Sequence, residues 1–450
     1  MSLLEIQDKI ERRSATIGVV GLGMVGLPVA CTFAQAGFNV VGVDLKAERV
    51  RTVNAGRVPM TSDEPGLAEL LATVVEREQL HATSDYRELA LADVVTLNVE
   101  TPVDNQHRPD DTALRAACSS LGAVLKAGAL VIVESTVAPG TTEKVVRPLL
   151  EQASGLRCHT NDLSDNQTPS FFLGACPERI TPGKLLYNLR HVGRVCGGMT
   201  PVTAQAMLTL YGQIVAAELD ATDPLTAELV KTAENAYRDV QIAFANEVAL
   251  ICEASGADVW RVRELVNKTP GRQMHLPGAG VGGHCIPKDP WLLAHAAQGQ
   301  APLHVIPAAR VVNEAMPLHV ADLTCESLGE VGRALAQARV AVLGYAYVEE
   351  SDDGRNSPSE ALVVRLRELG AEITIHDPYV VQYQGDLGTL VLGCDAAVVM
   401  VAHNAYRALD LGALKSALRT PVLVDGRHVF DAARAGEVGL IYRCVGVAAG

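Results

Sequence analysis

Thr16-Ile17-Gly18-Val19-Val20-Gly21-Leu22-Gly23-Met24-Val25-Gly26 decides the fold. Four of its first five residues, Thr16, Ile17, Val19 and Val20, are β-branched, and the run reads as a buried strand, Thr16–Val20. A helical pattern, Met24–Ala36, follows and stops at Gly37, a suitable residue just past a helix end. A second apolar run, Asn39–Val43, leads to Asp44, 18 positions after Gly26. Gly-x-Gly-x-x-Gly alone says little. Strand before, helix after and an acid about 20 residues on make it a dinucleotide-binding unit. Gly21 supplies the tight turn, Gly23 lets the backbone approach the pyrophosphate, and Gly26 lets helix and strand pack closely. Met24 and Val25 lie at the helix N-terminus, which stabilises phosphate. Asp44 would accept hydrogen bonds from the adenine ribose and repel a 2′-phosphate, which favours NAD over NADP. Lys46 and Arg49 could neutralise such a phosphate, and Arg49 is counted with the cofactor residues.

Further along, Asp93–Asn98 and Leu130–Val133 read as more buried strands, and strand–helix alternation over residues 16–200 implies a parallel sheet wrapped by helices. The polar stretch His159–Ser170 reads as a surface loop. A helix of unusual length is expected from Asp223 to Ser255, ended by Gly256, as a spine between domains or subunits. Alternation resumes with Arg339–Gly344, Pro358–Leu369, Glu372–His376, Ala396–Val401 and Val422–Asp425. The expectation is an α/β protein of two Rossmann-like parallel-sheet domains joined by a helical region. Its divisions are residues 1–200 for NAD, 201–318 for the central helical and dimerisation region, and 319–450 for the C-terminal sheet.

Composition sets bounds. The 450 residues are 48% hydrophobic and 20% charged, ordinary for a globular protein, and aromatics are sparse at 4%. A net charge of −14 argues against nucleic-acid or membrane-surface binding and means that an anionic substrate needs local cations. Ten cysteines without a CxxC pair read as reduced thiols of a cytoplasmic protein. Met1–Ala15 is short and mixed in charge, unlike a signal peptide, and no apolar run approaches the roughly 20 residues that span a bilayer.

One cysteine stands apart. Gly280-Val281-Gly282-Gly283-His284-Cys285-Ile286-Pro287-Lys288-Asp289 places a thiol in a glycine-rich bend beside charge, a setting read as too open for a packed core. Alone it allows a peptidase-like nucleophile or a redox sensor. Four other clusters carry polar groups. Glu134-Ser135-Thr136-Val137-Ala138-Pro139-Gly140-Thr141-Thr142 follows a strand, where open sheets bind ligands. Cys176-Pro177-Glu178-Arg179-Ile180-Thr181-Pro182-Gly183 ends another strand. Lys231 and Asn235 share a face of the long helix. Asp352-Asp353-Gly354-Arg355-Asn356-Ser357-Pro358 opens a C-terminal helix.

These motifs, in this order and nearly end to end, resemble the UDP-glucose/GDP-mannose dehydrogenase family of nucleotide-sugar 6-dehydrogenases. Pro177-Glu178-Arg179 with Pro182-Gly183, and Asp289-Pro290-Trp291, look most like the branch acting on UDP-N-acetylmannosamine. The resemblance implies a four-electron oxidation of the C6 alcohol to a uronate with two NAD per sugar. Cys285 would hold the carbon as thiohemiacetal and then thioester. Lys231 and Asn235 would stabilise the oxyanion, and Glu178 would position or deprotonate water, with Asp289 and Thr136 as ordering polar groups. Thr101, Thr136 and Arg355 resemble cofactor contacts. Arg179, Gly280, Gly282 and Arg427 resemble substrate contacts, and Arg272 an arginine reaching substrate from a second subunit of a homodimer. Val348 stands where relatives commonly carry a lysine near the sugar nucleotide. Pro182 replaces an acid of the UDP-glucose branch.

Plainer roles compete at each position. Cys285 could be a packing residue, Lys231 a solvated one, and Glu178 a partner of Arg179. His284 beside Cys285 suggests a metal or dyad, but adjacent side chains point apart. Glu349, Glu350, Asp352 and Asp353 read as a solvated loop, and no metal site is expected. UDP-glucose, UDP-N-acetylglucosamine and GDP-mannose remain alternative substrates. A simple hydroxyacid dehydrogenase has no use for Cys285, and a catalytically silent nucleotide-binding regulator has no use for the intact polar set.

Overall fold

In the computed structural model the chain forms two compact units, Met1–Glu234 with Trp291–Ala301, and Asn235–Pro290 with Pro302–Gly450. The structure describes residues 3–59, 64–160, 169–180, 183–297 and 299–448. Thr181, Pro182 and most of the expected loop His159–Ser170 lie outside the described residues.

Among the described residues the first unit is built on nine strands: β1 Thr16–Val20, β2 Asn39–Val43, β3 Leu80–Thr83, β4 Val94–Leu97, β5 Leu130–Val133, β6 Arg157–Cys158, β7 Ser170–Ala175, β8 Arg194–Gly198 and β9 Leu219–Thr222. They run β3-β2-β1-β4-β5-β7-β8-β9, with β6 on β7. The central strands are apolar throughout because both faces are covered. Side-chain alternation sends Ile17, Val19, Leu130 and Ile132 into one core. It sends Val20, Val95, Val131 and Val133 into the other. Chain direction away from β1 reverses between β2 and β4, which opens the ligand crevice of such sheets at their carboxyl ends. The pairing of β7 with β8 is antiparallel, Gly174 opposite Gly198 and Ala175 opposite Gly197, a reversal that alternation alone did not predict.

The second unit carries β10 Arg339–Leu343, β11 Glu372–His376, β12 Ala396–Val399, β13 Val422–Asp425 and β14 Ile441–Cys444, all parallel in the order β11-β10-β12-β13-β14. One face, with Val340, Val342, Val398 and Val424, packs with Leu328 and Leu366 from the helices Val305–Glu330 and Pro358–Glu368. The 26-residue helix Val305–Glu330, with Pro317 inside it, went unrecognised in the sequence. Proline normally ends such a pattern. The long helix is Pro224–Ser255, and the chain leaves the first unit within it, after Glu234. Among the described residues no helix is long and apolar enough to cross a membrane.

Candidate active site

The dinucleotide turn is a cradle of missing Cβ atoms. Gly21 has φ +91°, a left-handed conformation that suits glycine, and its N–H donates to the Val43 carbonyl at 2.7 Å. A Cβ on Gly26 would stand 1.8 Å from the Gly21 carbonyl oxygen, so helix and turn approach only without one. A Cβ on Gly23 would meet nothing within 4 Å, which leaves open space above the turn. The helix Gly26–Gln35 begins there, with Leu27 N–H donating to the Gly23 carbonyl (3.1 Å) and Val29 N–H to the Val25 carbonyl (3.2 Å), so that the turn is built into the helix N-terminus. These residues fit a pyrophosphate.

Asp44 is buried and already engaged. Its Oδ2 accepts from Leu22 N–H (3.0 Å) and Arg49 Nη1 (2.9 Å), and its Oδ1 from Lys46 N–H (2.9 Å). A carboxylate offers about four lone-pair positions, so a ribose hydroxyl can still be accepted. Arg49 thus partly offsets the charge that would repel a 2′-phosphate.

The carboxyl ends of β4 and β5 bring Thr101 and Thr136 together, with the Thr101 hydroxyl donating to the Thr136 carbonyl at 2.6 Å. Ser135 is fixed to the Val99 carbonyl at 2.6 Å. The turn beyond is held by a residue that sequence reasoning missed: Glu228, buried, accepts from Gly140 N–H (2.5 Å) and Thr142 N–H (2.9 Å). Its spacing of three from Lys231 was the available signal. Lys231 is only 7% exposed, and its side chain makes no hydrogen bond or ion pair among the described residues. An ammonium without a protein partner, on a largely buried side chain, is suited to an incoming oxygen.

Glu178 is also buried, and it does not pair with Arg179. Its Oε2 accepts from Ile180 N–H at 2.5 Å, while Arg179 bonds Glu234 (2.7 Å) and the Gly193 carbonyl (3.0 Å). Beneath lies a second missed group. Glu134 is buried and accepts from Arg194 (3.0 Å) and the Tyr211 hydroxyl (2.7 Å), while its own carbonyl accepts Glu178 N–H at 3.3 Å.

In the second unit the thiol bend is not open, contrary to the reading of its glycines. Gly280, Gly282 and Gly283 are buried, and only Cys285 is exposed. A Cβ on Gly283 would lie 2.6 Å from the Tyr347 ring, and one on Gly282 2.7 Å from Tyr347 and from the Asn356 carbonyl. Gly280 (φ +109°) sits against Pro317 and the Asn313 carbonyl, which Pro317 deprives of its helical donor. Gly283 N–H donates to the Arg355 carbonyl (3.0 Å), and Asn356 Nδ2 returns a bond to the Gly283 carbonyl (3.1 Å). The glycines serve close packing against the 345–358 loop.

Cys285 starts a turn into the helix Asp289–His295, its carbonyl accepting from Lys288 N–H (3.1 Å) and Asp289 N–H (2.9 Å). Asp289, fully buried, accepts from Asn235 Nδ2 at 2.6 Å and lies 3.1 Å from the Lys288 ammonium. Burial and the charges of Lys288 and Arg355 push the His284 imidazole below its ordinary pKa. Arg355 pairs with Asp353 at 2.6 Å and lies close enough to Cys285 for its charge to be felt. Two cations, Lys288 and Arg355, thus flank the thiol, each paired with a carboxylate.

Arg427 anchors the other end of the bend, its Nε donating to the Met400 carbonyl (2.9 Å) and its Nη2 to the Gly280 carbonyl (3.0 Å). Arg272 and Val348 are exposed. The acidic loop binds its own neighbours, Glu350 accepting from Asn404 N–H (2.8 Å) and Glu349 lying 3.4 Å from Arg407. Among the described residues no group of three His, Cys, Asp or Glu could hold a metal.

Three family models match the chain: the UDP-glucose/GDP-mannose dehydrogenase NAD-binding domain over residues 15–215, its central domain over 225–315, and its UDP-binding domain over 341–432. The UDP-N-acetyl-D-mannosamine dehydrogenase of Pyrococcus horikoshii is 37% identical over 430 residues, 96% of this chain and 99% of the relative. The NDP-N-acetyl-D-galactosaminuronic acid dehydrogenase of Ralstonia solanacearum is 36% identical, covering 94% and 98%. A solved UDP-D-ManNAc dehydrogenase from Pyrococcus horikoshii superposes with TM-score 0.88 at 35% identity, covering 96% of this chain and 99% of the other. A UDP-glucose dehydrogenase from Pyrobaculum islandicum gives 0.85 at 31%, covering 96% and 98%.

Proposed function

This chain belongs to the UDP-glucose/GDP-mannose dehydrogenase family and is an NAD-dependent nucleotide-sugar dehydrogenase; we propose that it oxidises the C6 hydroxyl of a UDP-N-acetylhexosamine, UDP-N-acetylmannosamine first, to the uronate. The observation that carries the reading is the setting of Cys285. It is exposed, at the start of a helix, followed by a buried Asp289 that holds Asn235. NAD, held at Gly21, Gly23, Met24, Val25, Gly26, Asp44 and Arg49 with Thr101, Thr136 and Arg355, supplies the hydride acceptor.

The chain's own residues do the rest. The Cys285 thiolate adds to the C6 aldehyde, its electron pair forming the C–S bond while the carbonyl pair moves to oxygen. Lys231 and Asn235 stabilise that oxyanion, and losing one such donor typically costs about 10²–10³ in rate. Asn235 gives one amide proton to Asp289 and keeps the other for substrate. Loss of hydride from the thiohemiacetal leaves a thioester. Glu178, oriented by the Ile180 N–H, takes a proton from water as it attacks the thioester carbon, and the thiolate departs. Asp289 and Thr136 order these groups. Arg179, Gly280, Gly282, Arg272 and Arg427 bind the nucleotide sugar, Arg427 by fixing the Gly280 carbonyl.

We further read residues 1–200, 201–318 and 319–450 as cofactor, central and sugar-nucleotide segments of a homodimer. Tyr237, Phe244 and Ile251, 65%, 59% and 59% exposed at seven-residue spacing, give the long helix an apolar stripe for a second copy. The test is a panel of UDP- and GDP-sugars followed by NADH production. Two NADH per UDP-N-acetylmannosamine, and no uronate from Cys285→Ala, are expected. One NADH per sugar, or a normal uronate yield from the variant, sinks the thioester chemistry. Faster turnover of UDP-glucose, UDP-N-acetylglucosamine or GDP-mannose reassigns the substrate, with exposed Val348 the first residue to examine. No NADH with any sugar favours a silent regulator.

A further inference from the structure

Two thiols in the first unit take no part in the reaction above. Cys176 immediately follows β7 and Cys196 lies in β8. Continuing the antiparallel register from Ala175 opposite Gly197 sets Cys176 directly opposite Cys196. Directly opposed residues have Cα atoms about 4.5–5.5 Å apart. That lies within the roughly 4.4–6.8 Å a disulfide accepts without backbone movement. The two sulfurs are 3.9 Å apart, and both residues are fully buried.

The surroundings separate these thiols from inert core cysteines. Arg194, 2% exposed, projects from the same strand as Cys196. Its Nη1 is bound to Glu134, but its buried Nη2 has no hydrogen-bond partner. An unsatisfied guanidinium N–H in a core is costly, and a sulfur anion within its field would offset that cost. Burial pushes the Cys176 thiol up, but the hydrogen bond from Cys196 and the charge of Arg194 bring it below its ordinary value. Burial pushes Cys31, Cys118 and Cys158 up to about 12, and the charges of Arg115 on Cys118 and of Arg147 on Cys158 do not offset it. A lowered attacking thiol beside a second thiol is the arrangement of an oxidisable dithiol.

We propose that Cys176 and Cys196 form a dithiol that hydrogen peroxide oxidises to an intramolecular disulfide. The Cys176 thiolate attacks one peroxide oxygen, the O–O bond breaks, and hydroxide leaves; sulfur is oxidised to sulfenic acid. The Cys196 sulfur then attacks Cys176, the S–O bond breaks, and the released hydroxide takes the Cys196 proton as water. In sum two thiols and one peroxide give one disulfide and two waters. Peroxide is small enough to enter through local opening of the strand pair. The bond would form two residues before Glu178, on the backbone that carries the proposed base. The inference needs nothing from the sugar chemistry.

The test uses the full-length Cys285→Ser protein, so that the exposed thiol does not dominate the reaction. After peroxide, remaining thiols are alkylated and the protein is digested for mass spectrometry. Expected is a linked peptide pair containing Cys176 and Cys196, lighter by two hydrogens than the reduced pair and lost on treatment with dithiothreitol. In Cys196→Ala, Cys176 should stop at sulfenic acid and be trapped by dimedone; if that variant does not fold, the linked peptide decides alone. Cys176 and Cys196 both alkylatable after peroxide has consumed exposed Cys325 would overturn the proposal, as would sulfonic acids at these positions without a cross-link.

Discussion

Gly283→Ala tests whether the thiol bend is glycine-rich for packing. Two costs can be read from the geometry. Gly283 has φ +86°, where an L-residue costs about 1–2 kcal/mol. The new methyl would lie 2.6, 2.9 and 3.0 Å from three Tyr347 ring atoms. Overpacking of that severity costs about 1–3 kcal/mol when the neighbour must shift. The sum is about 2–5 kcal/mol, and for a unit of this size it lowers Tm by about 4–20 °C. Trp260, stacked on His428 at 4.2 Å, reports the second unit once Trp291 is replaced by Phe, since the chain has two tryptophans.

A double-mutant cycle separates the two costs. Tyr347→Ala in the Gly283→Ala background should recover the steric part, giving a coupling of about 1–3 kcal/mol, while the backbone part persists. Iodoacetamide alkylation of Cys285 provides a local readout, because a displaced bend takes the thiol from the Lys288 turn. Unchanged melting in the single variant, or strict additivity in the cycle, would refute the packing argument and restore the view of an open bend.

Asp44→Ala should weaken NAD binding by about tenfold or more through lost charge-assisted bonds and narrow the NAD/NADP preference, because Arg49 is released; titration with both nucleotides checks this. Arg194→Met should destabilise the first unit by about 3–5 kcal/mol, because Glu134 is left charged and buried; chemical unfolding followed at Trp291 would show it, and no loss would contradict the buried pair. Burial holds His275, His284 and His376 below the ordinary histidine value. The unfolded chain then binds more protons near pH 6.5, so this stability is present above that value and is lost as pH falls. Urea midpoints of the second unit should fall between pH 7.5 and 6.0. A rise would mean that Asp239 and Asp425, raised by burial and opposite in sign, already dominate.

The sheet strands were legible because parallel strands buried on both faces leave runs rich in Val, Ile and Leu, as in Thr16–Val20 and Leu130–Val133. Their limits agree with the reading to the residue. The helix Val305–Glu330 was not legible, since Pro317 interrupts the pattern that would announce it. Cys285, Lys231, Asn235 and Asp289 could be singled out as chemistry, and the structure joins Asn235 to Asp289. Glu228 and the Glu134–Arg194–Tyr211 group stayed hidden. Their partners are backbone amides or residues 60 or more positions away, so local spacing offers at most the three-residue step from Glu228 to Lys231 and never the pairing itself. The glycines of the bend were recognised for the wrong cause, because a sequence shows a missing side chain but not the Tyr347 ring that requires its absence.

Comparison of the two sheets sharpens the assignment of the cofactor acid. Gly344 (φ +95°) follows β10 as Gly21 follows β1, its N–H donating to the His376 carbonyl at 2.8 Å. Asp377 follows β11 as Asp44 follows β2, and its Oδ2 accepts from Tyr345 N–H at 2.6 Å, the counterpart of Leu22 on Asp44. The same turn-and-acid device thus occurs twice. Asp377 also accepts from Ala346, Tyr379 and Val380 N–H groups and from His403, and these bonds, set against its burial, hold its carboxyl far below the usual range. Saturated in this way, Asp377 can only brace the loop that ends at Tyr347. Asp44 has three donors, one of them a movable arginine, and retains capacity for a ribose. Geometry shared by the two sheets therefore marks an acid as structural or ligand-binding only after its donors are counted, and on that count the dinucleotide belongs to the first sheet.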